Sequence, residues 1–256
     1  MSIAALKLLS ADPATLRRFY CRTFGASEFA GGCVLGEERI EIAPAADPRP
    51  DLFRSNETGF QHFALVVADM GRAYAGICAW TDWRPISLAG PERLPASSGG
   101  ATAFKFRDPE GHPLELLQFA ADAVPALWRA RFDAEPRRMV FGIDHTGIAV
   151  HDIEASVRLW SSVGLIATHR QRNRGQEQAR LDGFADAGGA DVEIVALSPS
   201  SGVRPGVELL GYRRPPATIR AAADASTAAT AIVLASPPPA PRDLDGHRIE
   251  FRSAPT

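Results

Sequence analysis

Four glutamates stand in the middle of short apolar segments: Glu41 in Arg39-Ile40-Glu41-Ile42, Glu115 in Pro113-Leu114-Glu115-Leu116-Leu117, Glu208 in Gly206-Val207-Glu208-Leu209-Leu210, and Glu250 in Arg248-Ile249-Glu250-Phe251. In a strand, successive side chains point to opposite faces, so Leu114 and Leu116 share one face and Glu115 takes the other. A carboxylate buried there without a partner is costly, so each glutamate either faces solvent or meets a cation. Two histidines, His62 and His145, open apolar segments of their own, where the outer parts of the chain have Ala5 and, approximately, Ala229. Two imidazoles with the carboxylates of Glu115 and Glu208 make a donor set suited to a divalent first-row metal, whether Fe, Mn, Ni, Zn or Co. Glu41 and Glu250 have no histidine to go with them, and a solvated face is the expectation there.

A repeat positions these residues. Apolar strands ending in an aspartate cover 5–12, 62–69 and 145–152. Each leads into an amphipathic stretch at helical spacing, over 13–24, 70–80 and 153–163, with Asp12, Asp69 and Asp152 as N-caps and Pro13 in a first turn. Gly25 and Gly164 stop the first and third helices. Strand segments follow at 83–88, 101–107 and 113–119 in the second unit, and at 165–171, 179–181 with 191–197, and 207–212 in the third. Turns at 107–112 and 242–247, each ending in Gly-His, feed the strands of Glu115 and Glu250, and the rings of His112 and His247 are expected to bond to the turn backbone. His151 and His169 are expected on solvated surfaces. The first unit is compressed, and the fourth keeps only 229–234, the run Pro237-Pro238-Pro239 and the closing strand, with no helix.

The fold class is therefore α+β: four β-α-β-β-β units, the outer two reduced, paired into curled mixed sheets that form cup-shaped half-barrels. The expected organisation is an N-terminal pair over 1–122 (1–46 reduced, 58–122 full) and a C-terminal pair over 138–256 (140–214 full, 226–256 reduced). Polar, proline-rich connectors fall at 44–58, 120–138 and 213–226, with the middle one as the boundary.

Composition excludes several function classes. The 256 residues suffice for one large or two small domains, with an ordinary 45% hydrophobic and 23% charged content. A net charge of −2 argues against nucleic acid or an anionic membrane as partner. No apolar run reaches the roughly 20 residues of a membrane span, and residues 1–7 lack the features of a signal peptide. Cys21, Cys33 and Cys78 are odd in number and not in C-x-x-C spacing, so reduced thiols in a cytoplasmic protein are expected. Walker-type loops, dinucleotide fingerprints and nucleophile elbows are absent from the sequence.

The segments Phe60-Gln61-His62-Phe63-Ala64-Leu65-Val66-Val67, Phe106-Arg107-Asp108-Pro109-Glu110-Gly111-His112-Pro113-Leu114-Glu115 and Ile143-Asp144-His145-Thr146-Gly147-Ile148-Ala149-Val150 resemble the vicinal oxygen chelate superfamily, which includes glyoxalase I, methylmalonyl-CoA epimerase, extradiol dioxygenases and the bleomycin resistance proteins. The resemblance covers most of the chain. It implies that two units curl into a cup around a metal held by His62, Glu115, His145 and Glu208, with Glu208 or Glu115 able to act as the base. Pairing of units one with two and three with four would split those ligands, whereas pairing two with three keeps them together. Ligand completeness favours the central pairing.

The expected partner is a small-molecule substrate, with a homodimer allowed. The basic, polar stretch 170–180 is a solvated loop by default, although Arg174 and Gln178 are placed to bind substrate if it reaches over the cup. Tyr212 is a candidate to line the pocket and donate a proton, and 97–100 a turn able to act as a gate. The leading function is a metal-dependent lyase or isomerase of the glyoxalase type, working through an enediolate or enolate. The alternatives are an iron-dependent extradiol ring-cleaving dioxygenase, whose second histidine would come from the position of Ala229, and a binding protein that sequesters a small molecule without chemistry.

Overall fold

A computed structural model of the chain describes residues 2–185, 188–220, 226, 230–236 and 240–252. The run 237–239 and the alanine at 229 lie outside the described residues. The elements in order are β1 (Ile3–Ser10), α1 (Pro13–Phe24), β2 (Ser27–Phe29), β3 (Gly32–Leu35), β4 (Glu38–Pro44), β5 (Gln61–Val67), α2 (Met70–Cys78), β6 (Arg84–Pro85), β7 (Glu92–Arg93), β8 (Thr102–Arg107), β9 (Pro113–Gln118), α3 (Ala126–Ala134), β10 (Val140–Ala149), α4 (Ile153–Ser162), β11 (Leu165–Gly175), α5 (Gln176–Leu181), β12 (Ala190–Pro199), β13 (Gly206–Arg214), β14 (Thr230–Leu234) and β15 (Arg248–Phe251).

The three repeat helices begin as their sequences dictate. Asp12, Asp69 and Asp152 each accept a hydrogen bond from the backbone N–H three residues on, satisfying one of the otherwise unpaired donors of the first turn. Gly25 ends α1 with φ of 70°, a left-handed conformation that costs glycine little. Leu16, Phe19, Tyr20 and Phe24 of α1 are buried, each contributing roughly 1.5–3 kcal/mol by leaving water.

Two curled, unclosed mixed sheets result. The larger runs β11-β12-β13-β10-β5-β9-β8-β6, with β7 also on β8; the smaller runs β15-β14-β1-β4-β3-β2. The second and third units thus share one sheet through the antiparallel β5–β10 pair, and the first and fourth share the other. This is the central pairing, and each sheet draws strands from both halves of the chain. One core joins them: Leu6, Leu8 and Ile42 of the smaller sheet belong to the same cluster as Phe63, Leu65 and Leu209 of the larger.

Several elements differ from expectation. The first unit is short but has all its strands, β1 to β4, around α1. Residues 179–181 belong to the helix α5 and not to a strand, because Gly175 breaks β11 at φ of 117° and the chain turns inward. The connector at 120–138 carries α3, which fastens the sheets together: Arg131 donates to the Glu38 carboxylate and to the Phe141 carbonyl, while Glu38 accepts from the Ile143 N–H.

The Gly-His turns act between units. Asp108 accepts the backbone N–H groups of Glu110 and His112, and the His112 ring lies 2.9 Å from its other oxygen and 3.0 Å from the Leu9 carbonyl. Asp243 and His247 repeat the arrangement, with the ring at the Phe60 carbonyl. The histidine rings therefore bond to the turn aspartate and to the backbone of another unit, not to their own turn's backbone. His151 and His169 are exposed.

Candidate functional site

On β5, His62 and Ala64 share the face opposite Phe63 and Leu65, and the parallel β9 sets Glu115 beside Ala64. On β10, Gly147 stands beside Glu208 of β13. The β5–β10 ladder pairs His62 with Gly147 and carries an extra residue between Ile143 and Thr146. That bulge lets the consecutive Asp144 and His145 both line the same cavity, which a regular strand would forbid. Gly147 is needed for a second reason. A Cβ there would lie 2.2 Å from His62 Cε1, so only glycine admits the ring.

Four residues expected to meet do so unequally. His62, Glu115 and His145 each offer a ligand atom, all within 4.8 Å of one another, and all three are buried. Glu208 reaches His145 Nε2 at 3.3 Å and stands at the side of this trio, its side chain 23% exposed. The His62 Nε2 atom lies 3.2 Å from Glu115 Oε2 but out of line for a hydrogen bond, and neither ring nitrogen has a hydrogen-bond partner. A fully buried imidazole with both nitrogens unpaired, facing a carboxylate and a second imidazole, fits a divalent cation. On the far side of His145, Nδ1 lies 3.1 Å from Asp144 Oδ2, while Trp128 of α3 donates to Asp144 Oδ1 at 2.9 Å. This support leaves Nε2 facing the cavity.

The charges follow the geometry. Burial, reinforced by the Lys105 ammonium, lowers the His62 pKa to about 4, so its imidazole is neutral. Burial would raise Glu115, but its cationic surroundings, the Lys105 ammonium and His145 among them, outweigh it and hold the carboxyl at about 2. Burial opposes charge on His145, yet Glu208 and Asp144 push it up to about 9. For Glu208 burial prevails and its pKa is raised.

The trio lines a cavity of about 180 Å³ whose other walls include Leu94, Leu181, Ile194 and Leu210. A cavity of about 610 Å³ shares its His145 and Glu208 wall. Of the residues expected to bind substrate, Gln178 lines the inner cavity, brought there by α5. Arg174 does not reach it: β11 is a strand where a loop was expected, so Arg170, Arg172 and Arg174 alternate outward, Arg174 beside Asp191 at 3.5 Å, while Gln171 and Asn173 face in. Tyr212 does not line the cavity: it packs edge-on against Phe184 in the apolar cluster that backs the cavity walls Ile194 and Leu210. Sequence reasoning missed Lys105, whose ammonium lies 3.7 Å from Glu115 and 2.7 Å from Asp182 Oδ1. It also missed Asp144, although its place before His145 was the available signal.

The outer sheet shows the same register without the trio. There Lys7 stands beside Glu41, Val233 beside Glu250, and Ala231 takes the place of a histidine by register. Lys7 pairs with Glu250 at 2.8 Å and Arg252 with Glu41, so these glutamates are held by cations rather than left on a bare solvated face.

No protein-family model matches the sequence, and no curated protein matches it. The structure, by contrast, is similar to solved ones. Glyoxalase I from Zea mays superimposes with a TM-score of 0.58 at 15% identity, covering 91% of this chain and 74% of that one. A single-residue variant of the same protein gives 0.58 at 14% identity over the same shares. Likeness at this identity speaks for architecture, and with the paired units and curled sheets it leads to one statement: the chain has the vicinal oxygen chelate fold.

Proposed function

We infer that the inner cavity is the active site of a metal-dependent enzyme of the glyoxalase type, a lyase or isomerase acting on a small oxygenated metabolite. The observation that carries this reading is the convergence of His62, Glu115 and His145 from two units, with the buried His62 ring lacking any hydrogen bond. These three residues would hold the cation, with Glu208 beside them as a fourth donor. Such a cation, when bound, supplies Lewis acidity to the charge that develops as a proton leaves carbon next to a carbonyl. Glu208 is the base: it stands at the side of the trio, more open than Glu115 (23% against 9% exposed), where it can take the proton and return it to the neighbouring carbon. Asp144 orients His145, and the aliphatic walls limit the water that competes for the enediolate. Gln171 and Gln178 offer amide groups to the substrate's oxygens.

The test is metal content of the isolated protein, followed by NMR detection of deuterium uptake at the α-carbon of small α-hydroxy carbonyl compounds. Exchange that needs the metal and is lost in Glu208→Gln supports the reading; a protein that binds no divalent cation ends it. The trio taken alone is a two-histidine, one-carboxylate set, and this favours a second reading as a ring-cleaving iron dioxygenase. Fe(II) with catechol-dependent oxygen uptake would select it.

A further inference from the structure

We propose that Lys105 is a resident counter-cation of this site: its ammonium holds the Glu115 carboxylate in position and competes with the divalent cation for it, so that the metal is bound less tightly, and exchanges more readily, than the same donors alone would allow. The proposal rests on the metal reading of the cavity. Lys105 sits on β8 directly opposite Glu115 on β9, so the two share a face by register and not by chance of rotamer. Its side chain is 3% exposed, and its Nζ donates to Asp182 Oδ1 at 2.7 Å while lying 3.7 Å from Glu115 Oε2. Asp182 is itself fixed, since Gln178 donates to its other oxygen at 2.7 Å and Asn173 donates to Gln178 at 2.9 Å. The ammonium therefore cannot swing out to solvent when a second cation arrives, and the two positive charges share one carboxylate at short range.

The repeat argues that this lysine is not a demand of the scaffold. The residue opposite the strand glutamate is Gly32 in the first unit and Ala196 in the third. Of these three units, the second alone carries a long basic side chain there. The outer sheet shows the limiting case within the same molecule, with Glu250 held by Lys7 and Glu41 by Arg252, and alanines where the inner sheet has histidines. There a basic side chain, and no histidine, meets each strand glutamate. In the inner sheet a basic side chain and two histidines meet the same glutamate, and this sets up the competition.

The experiment is calorimetric titration with Co(II) of the full chain and of the Lys105→Met, Lys105→Arg, Asp182→Asn and Lys105→Met/Asp182→Asn variants, with circular dichroism to establish folding. Lys105→Met is expected to bind Co(II) at least about tenfold more tightly than the unaltered protein, and Lys105→Arg, which keeps the charge, within about threefold of it. The double variant is expected to bind more tightly than Asp182→Asn, which decides the matter if the lone Met variant, with Asp182 left unpaired, does not fold. Folded Met variants that bind Co(II) equally or more weakly than their lysine parents overturn the proposal while leaving the metal reading intact. Absence of Co(II) binding by the unaltered protein overturns the metal reading and the proposal with it.

Discussion

Replacing Gly147 by alanine tests the site through one methyl group. The added Cβ would lie 2.2 Å from His62 Cε1, 2.8 Å from Nδ1 and 2.9 Å from Nε2, against an ordinary contact of 3.4 Å or more. The ring must therefore retreat by about 1.2 Å (3.4 − 2.2) unless the backbone yields. Gly147 and His62 are paired on the two central strands of the sheet, where backbone movement would break ladder bonds on both sides. Overpacking of this kind costs about 1–3 kcal/mol. For a chain of this size that lowers Tm by roughly 2–12 °C in metal-free buffer. Ligand distances tolerate only about 0.2 Å. A retreat of the His62 ring should thus weaken a divalent cation by about 10–100-fold, removing about 1.4–2.7 kcal/mol of metal-dependent stabilisation at fixed excess metal. The assay is thermal unfolding with chelator and with excess Zn(II) or Co(II). Gly188→Ala is the control, since nothing lies within 4 Å of its added Cβ. If Gly147→Ala melts as the parent does and shows the same metal-dependent rise, the claim that this glycine exists to admit the His62 ring is refuted.

Asp144→Asn removes the carboxylate that orients His145 and should lower divalent-metal affinity by about 10–100-fold, measured by titration; unchanged affinity would show that the contact does not position the ring. Glu208→Gln should retain metal and lose at least about 100-fold in α-proton exchange, whereas Glu115→Gln should lose the metal itself; equal metal loss in both would refute the division of roles. Burial opposes charge on His112 and His247, but Asp108 and Asp243 outweigh it and raise both rings above the ordinary 6.5. A raised folded-state value means stability that is fully present below about pH 6.5 and lost as pH rises through the raised value. Unfolding followed against pH should show that loss in the parent. His112→Gln removes the imidazole from an Asp108 that keeps the Tyr20 hydroxyl and two backbone N–H groups, so it should cost about 1.5–3 kcal/mol and make the profile shallower, and a parallel profile would exclude the clamp as a cause.

What was legible in the chain follows from which interactions are local. The bounds of α1 coincide with the amphipathic stretch at 13–24, because Asp12, Pro13 and Gly25 act on their own backbone. The strand glutamates were equally legible, since a two-residue period assigns faces without knowledge of any partner. The arginines of 170–174 carried the same period, and reading them as a strand would have turned Arg174 outward and Gln171 and Asn173 inward. Lys105 could not be read this way. Alternation within Ala103-Phe104-Lys105-Phe106 says only that it faces away from two phenylalanines; that it faces Glu115 depends on the β8–β9 register, and that it meets Asp182 depends on α5 entering from the third unit. Register also separates the four equivalent glutamates. The β9 and β13 glutamates stand beside Ala64 and Gly147, which leave room for an imidazole and a ligand, whereas the β4 and β15 glutamates stand beside Lys7 and Val233, which fill that room. Putting histidines at the places of Ala5 and Ala231 would therefore not build a second site while Lys7 remains. The small residue beside each glutamate is as much a condition of the chemistry as the glutamate itself.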